Sequence, residues 1–272
     1  MNEQTNSSVE TTKIHPLAIV SPKAKLGAGV EVGPFAVIED DVEVGEGTKL
    51  LSGAILRNGA RIGRECTIHP YAVVGGEPQD LKFKGEESVA IVGDRTTIRE
   101  YATISRGTAS KGFTKVGCDV LIMAYAHVAH DCEVGDKVIT GNACQIAGEV
   151  VIDEQAILGG GTLVHQFVHI GCHTMLQGGT RITKDIPPYT LIGREPAIYC
   201  GINIVGLRRR QYTKEQIYLI NDIYRTLYNR GLNNTEAIQV IKEEYDDLPE
   251  KKIILDFIEK SARGIVRGSS LD

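Results

Sequence analysis

Every sixth residue from Ile14 to Val74 is aliphatic: Val20, Leu26, Val32, Ile38, Val44, Leu50, Leu56, Ile62 and Ile68 fill the series without a failure. The residue four places after each is small or β-branched nearly throughout, as in Ala18, Ala24, Val30, Ala36, Val42 and Thr48. A helix repeats every 3.6 residues and a half-buried strand every two, so neither gives a strict period of six. A triangular coil does. Each hexapeptide forms one short side, three sides complete a turn of a parallel β-helix, and a repeat of this kind fixes the architecture before any other signal is weighed.

The phase lapses from Gly75 to about Ile91, returns at Val92, Ile98 and Ile104, and lapses again from Ala109 to Lys115. It then runs from Val116 to Ile182 with only Thr140 off type. Insertions in a solenoid become loops that leave the coil, and such loops on a rigid scaffold often carry function. Glycine recurs just after the aliphatic position (Gly27, Gly33, Gly45, Gly63, Gly93, Gly117, Gly135). This predicts corners whose backbone angles a Cβ would oppose.

The six-residue period ends near Pro187-Pro188, and helical signals follow. Thr213-x-x-Gln216 reads as a capping box before the stripe Ile217, Ile220, Tyr224 and Leu227/Tyr228. A second helix is expected after Asn234 and a third at Pro249, a favoured first-turn residue. The division expected is a polar extension over 1–13, a coil over 14–200 with loops near 75–91 and 109–115, and a helical domain over 201–272. The last turn of a solenoid needs a cap, which the helices supply.

The chain has 272 residues, 42% hydrophobic and 24% charged, as a folded soluble protein should. Its start, MNEQTNSSVETTK, is no signal peptide, and no apolar stretch is long enough to span a membrane, so a cytoplasmic location is expected. Six cysteines without a C-x-x-C pair read as free thiols. A net charge of −5 argues against nucleic-acid binding, which needs a basic footprint. The run Arg208-Arg209-Arg210 is the local exception, either a solvated stretch or a site for phosphate or an acidic partner.

Five of the seven histidines fall between 127 and 173. His15 and His69 precede prolines and read as turn residues. His165, His169 and His173 imitate the spacing of a helical metal site. On this coil they occupy the second, sixth and fourth places of their hexapeptides and share no direction, so no metal is expected. Positions 18 apart lie one rung apart, at roughly 4.8 Å. The units beginning at Val128, Ile146 and Val164 therefore stack. They bring His130 and Asp131, then Gly148 and Glu149, then His165 and Gln166 onto one side of the prism. A neutral histidine can take a proton near neutral pH, and an exposed backbone N–H at Gly148 can hold a developing oxyanion. That pairing suits acyl transfer to a hydroxyl group. Asp131 follows His130 directly, and on a regular strand the two side chains would point apart.

These motifs together resemble one family. The coil, GGEPQDLKFKGE at 75–86, IREYATISRGT at 98–108, MAYAHVAHDC at 123–132, GGGTLVHQF at 159–167, KDIPPY at 184–189 and GINIVGLRRR at 201–210 resemble the acyl-[acyl-carrier-protein]–UDP-N-acetylglucosamine O-acyltransferases of lipid A synthesis. The resemblance implies a left-handed β-helix, a hand that the period alone cannot give. It implies a homotrimer with sites between neighbouring prisms. The implied reaction moves an (R)-3-hydroxyacyl chain from acyl carrier protein to the sugar 3-hydroxyl of UDP-N-acetylglucosamine, with no cofactor.

Carried over residue by residue, the resemblance makes His130 the general base and Gly148 the oxyanion donor. Asp80 and Lys82 become sugar-nucleotide contacts on the first loop, and His127, His165 and Gln166 further pocket positions. Asn203, Arg209 and Arg210 fall at the nucleotide end, where guanidinium groups suit phosphate. Met175 becomes a wall of the acyl pocket and Gly178 the position that limits chain length, here leaving room for about fourteen carbons or more by family analogy. The chain departs from the better-known members at Glu149, where they carry histidine. A carboxylate repels a diphosphate, so Glu149 would meet a sugar hydroxyl instead. Val205 stands where some members have an acidic residue. Three rivals compete: the related N-acyltransferase, which has an extra N-terminal domain; a zinc carbonic anhydrase on the same coil, whose histidine spacing differs; and a non-catalytic trimeric scaffold.

Overall fold

The computed structural model describes residues 11–268, so most of the polar extension expected over 1–13 lies outside the described residues. Two-residue strands fall in turn on three faces: Lys13–Ile14 on the first, Ile19–Val20 on the second, Lys25–Leu26 on the third. Among the described residues the three sheets hold eleven, nine and eight strands. Apart from one pair at the C-terminal end, neighbours in a sheet run parallel, with partners mostly 18 residues apart, as Ile14 with Val32 and His127 with Gln145. The interval becomes 30 across the first lapse of phase (Thr67 with Thr97) and 24 across the second (Thr103 with His127). The excess over 18 is 12 and 6 residues, or two hexapeptides and one, which is why the phase returns intact.

The first excursion is shorter than its lapse of phase suggests, and the second is as long as its lapse but starts three residues earlier. The first lies between strands Val73–Gly76 and Val89–Val92, the second between Thr103–Ser105 and Phe113–Val116. Val89–Val92 pairs with Phe113–Val116 over four residues, and this longer ladder draws residues off the hexapeptide pattern into the sheet. Both excursions leave the coil at the same edge, between the second and third faces.

The aliphatic positions point inward. Ile38, Leu50, Leu56, Ile68, Ile98, Ile122 and Ile146 are fully buried in one continuous core. Each contributes about 1.5–3 kcal/mol from burial, which accumulates along the stack. Thr140 is buried among them with its hydroxyl unpartnered. Burial fails at the first turn, where Ile14 is half exposed at the open end of the prism.

The corner glycines have a different reason from the one the sequence suggests. Gly27, Gly45, Gly93 and Gly135 do not adopt left-handed angles. A Cβ on each would lie 2.5–2.6 Å from the backbone of the next turn. The left-handed position comes two residues later, and it is filled by Phe35, Tyr71, Tyr101, Tyr125, Lys137 and Gln155 as well as by glycine.

After the last turn, Thr190–Gly193 pairs antiparallel with Ile198–Ile202, a hairpin that the sequence reading does not contain. Helix α1 (Ile204–Arg209) follows, capped by Asn203, and it too was not foreseen. Helix α2 (Lys214–Asn229) carries the expected capping box of Thr213 and Gln216. Helix α3 (Asn234–Glu244) is capped by Asn233 and Glu236, and α4 (Pro249–Lys260) begins on its proline. Their apolar faces form a second core with Cys172 and Tyr189 of the last coils. Among the described residues no helix is long and apolar enough to cross a membrane.

Candidate active site

The edge where both excursions leave the coil also carries the titratable column. His130, Gly148, His165 and Gln166 occupy successive corners between the second and third faces. They line an open cleft of about 510 Å³ together with His127, Gln79, Gln145, Arg181 and Thr183. Four of these lining residues, Gln79, Gln145, Arg181 and Thr183, are missing from the sequence reading. The signal for two of them was the interval of 18. His127, Gln145, Leu163 and Arg181 stand in register on the second face, one rung apart.

His130 is held on one side only. Its Nδ1 lies 2.8 Å from Oδ2 of Asp131, whose side chain is completely buried. A carboxylate there accepts the Nδ1 proton and leaves the lone pair on Nε2. Strand alternation would have set the two side chains apart, but Asp131 is a corner residue with φ of 60° and turns back toward its neighbour. Burial pushes the Asp131 carboxyl up, yet hydrogen bonds from Thr108, His130 and the backbone outweigh it and hold the group below the usual carboxylate range.

Gly148 lies directly under the imidazole. A Cβ there would stand 2.6 Å from Cε1 and 2.7 Å from Nε2 of His130. Its N–H donates to no acceptor of the chain among the described residues. The site thus offers a ring nitrogen with a free lone pair next to an unused backbone donor. Burial, and then the charge of His130, lower the pKa of His127, so that ring is neutral near pH 7. Its Nδ1 lies 2.7 Å from the Thr103 hydroxyl. Cys132 sits beside the site but is no nucleophile: burial pushes its thiol up to about 12, and its Sγ lies 3.1 Å from the Ala147 carbonyl.

Other positions carried by the resemblance lie elsewhere. Asp80 closes a turn in the first excursion, with Oδ1 accepting the N–H of Lys82 at 2.9 Å, while the Lys82 side chain is exposed. Glu149 accepts a hydrogen bond from the Ser110 hydroxyl at 3.1 Å. Met175 is on the first face, and Gly178 on the corner between first and second faces. Asn203 is buried, its Oδ1 capping α1 and its Nδ2 donating to the His173 carbonyl. Arg209 is exposed, while Arg210 donates to the Gln155 carbonyl at 2.8 Å, on the corner between third and first faces. A single prism therefore spreads these residues over three different edges.

The three histidines with helical metal spacing do not converge. His165 is exposed in the cleft, His169 pairs with Asp153, and His173 bonds to Tyr212. Glu154, Cys172 and His173 bring ligand atoms within 4.8 Å at another edge. Burial, and then the positive charge of Arg210, lower the His173 pKa to about 4, so this ring is neutral near pH 7.

Comparison with known proteins reads the same way. The model of the family described as UDP N-acetylglucosamine O-acyltransferase, domain 2, matches residues 185–266, and the bacterial transferase hexapeptide model matches 41–76 and 113–148. An acyl-[acyl-carrier-protein]–UDP-N-acetylglucosamine O-acyltransferase of Janthinobacterium sp. (strain Marseille) is 42% identical, over 93% of this chain and 99% of its own. The chain belongs to the UDP-N-acetylglucosamine O-acyltransferase family. A solved member from Bacteroides fragilis is 49% identical with a TM-score of 0.92, covering 93% of this chain and all of that one. The Francisella novicida enzyme is 39% identical with the same TM-score, covering 94% and 95%. The coil is accordingly the left-handed β-helix of this acyltransferase family, with a helical C-terminal part.

Proposed function

We propose that this chain transfers an (R)-3-hydroxyacyl group from acyl carrier protein to the 3-hydroxyl of UDP-N-acetylglucosamine, the first step of lipid A synthesis. The observation that carries the mechanism is the pairing of His130 with Gly148. Nε2 of His130 takes the proton of the sugar hydroxyl as that oxygen attacks the thioester carbonyl. The Gly148 N–H steadies the tetrahedral oxyanion. Collapse breaks the carbon–sulfur bond, and the departing thiolate takes the proton back from His130. The buried Asp131 keeps the ring oriented and balances its charge while protonated.

Roles follow for the remaining residues. Asp80 and Lys82, on an excursion that leaves at the same edge, reach the sugar nucleotide, with His127, His165 and Gln166 along the cleft. Glu149, already bonded to Ser110, meets a sugar hydroxyl rather than phosphate. Arg209 and Arg210, near Asn203, serve the nucleotide of a neighbouring protomer's site, and Met175 with Gly178 shape its acyl end for a long chain. A homotrimer in the cytoplasm fits this reading. Exposed apolar side chains of the coil gather on the second face and its flanking corners: Ile19 and Leu163 on strands, Phe35, Tyr71, Tyr101 and Tyr125 on one corner, Phe167 on the other. Such a patch favours association, and a second prism there would close the cleft over His130.

Incubation with UDP-N-acetylglucosamine and 3-hydroxyacyl carrier proteins of varied chain length, read by mass spectrometry, tests the reaction. His130→Ala should lower the rate by about 10²–10⁴ while the protein stays folded. Undiminished turnover by that variant would remove His130 from the mechanism.

A further inference from the structure

The second excursion does more than interrupt the coil. A fully buried carboxylate is tolerated only when its oxygens are supplied with donors. Asp131 has four. Oδ1 accepts the backbone N–H of Thr108 at 2.9 Å and that of Lys111 at 3.2 Å. Oδ2 accepts the Thr108 hydroxyl at 2.6 Å and the His130 Nδ1–H at 2.8 Å. Three of the four come from the excursion, a segment that an uninterrupted coil would lack. The direction of the shortest bond is set as well. An ionised carboxylate only accepts, so the Thr108 proton goes to Asp131, while the Thr108 oxygen accepts the Ser110 N–H at 3.1 Å.

We infer that Thr108 is a positioning residue for acyl transfer, holding Asp131 and through it the His130 ring over Gly148. This rests on the reading of His130 as the base. The Thr108 hydroxyl and the imidazole share one carboxylate oxygen, so the hydroxyl fixes where that oxygen can be. Without it, Asp131 keeps its backbone donors to Oδ1 but turns more freely about its side-chain bonds, and the ring turns with it. The clamp is also joined to the first excursion, because the Ala109 N–H donates to Glu86 at 3.0 Å. The loop bearing Asp80 and Lys82 and the loop holding the base therefore brace each other.

Thr108→Val tests this, since valine keeps the branched shape and the backbone N–H and loses only the hydroxyl. Thr108→Ser is the rescue, and Thr108→Ala serves if valine does not fold. The kcat should fall about ten- to a hundredfold, as for loss of a hydrogen bond to a charged group, with KM for UDP-N-acetylglucosamine within twofold. The acid limb of the kcat profile should move to higher pH. Asp131 has one donor fewer, so its charge falls more fully on the imidazolium and favours protonated His130. The other titratable groups around the ring, His127, His165, Glu149, Arg181 and Lys111, are unchanged in the variant. Nitrogen NMR of the His130 ring should show the same displaced titration without any turnover, and Thr108→Ser should restore both readouts.

An unchanged ring titration and an unchanged kcat in folded Thr108→Val would overturn the inference. So would a variant whose only defect is a lower melting temperature. Failure of the acyltransferase reading looks different: wild-type protein would then give no acylated sugar nucleotide, while the NMR comparison would still report on the clamp.

Discussion

The contact between Gly148 and His130 is decided by one absent methyl group. The Gly148 backbone does not lie in the left-handed region, so alanine is sterically possible there as far as its own dihedrals go. Its Cβ, however, would meet the imidazole well inside contact distance. Gly148→Ala should therefore leave the N–H and the fold in place and push the ring off its position. A fall in kcat on the order of 10²-fold is expected, because a displacement near 1 Å at the reacting centre costs about that much. The melting temperature should move by only a few degrees. Steady-state kinetics beside a thermal melt check this, and a variant with normal kcat would show that the ring contact is not needed. His130 and Gly148 were legible as a pair, since the interval of 18 stacks them on any such coil. Asp131 as a partner was not. The alternation rule used to separate it from His130 applies to strands, and Asp131 sits on a corner. Thr108 was less legible still, because it reaches Asp131 from an excursion that the period does not describe.

Each corner asks two different things of its residues, and glycine answers only one of them by necessity. At Gly135 a Cβ would stand 2.6 Å from the Glu154 nitrogen of the next turn. Two residues on, Lys137 holds a φ of 58° with its side chain in solvent. A non-glycine residue in that region costs about 1–2 kcal/mol, and glycine gives back roughly 0.5–1 kcal/mol in chain entropy. Lys137→Gly should thus be neutral or stabilise by up to about 1 kcal/mol. Gly135→Ala should destabilise by about 1–3 kcal/mol through overpacking against backbone that cannot withdraw. Denaturant midpoints of the two variants give the comparison, and equal effects would mean that dihedral strain, not close approach, selects the corner glycines. The sequence shows glycine recurring at the first position without showing which demand it meets, and the expectation chose the wrong one. The helices were legible where caps mark them, at Thr213 and Pro249. Helix α1 was missed because it is short, and its cap, Asn203, directly follows a strand.

A prism with three faces cannot bring three edges together, and the residues assigned to one reaction lie on all three. His130 and its column stand between the second and third faces, Gly178 between the first and second, and Arg210 is bonded at the corner between the third and first. The period alone gives the prism but neither its hand nor its assembly, since both depend on how whole turns and whole chains pack. The family resemblance supplied those expectations. If neighbouring protomers complete each other's sites, two inactive variants can repair each other. His130→Ala removes the proposed base from one side of a cleft. Arg209→Ala removes an exposed guanidinium from the other and leaves the coil untouched. In trimers assembled at random from equal amounts of the two, about one quarter of the sites join an intact His130 to an intact Arg209. Co-expressed protein should then regain about a quarter of wild-type activity, well above either variant alone. Mixing the purified variants without subunit exchange should regain none. Activity at the average of the two parents in the co-expressed sample would mean that each prism carries a whole site by itself.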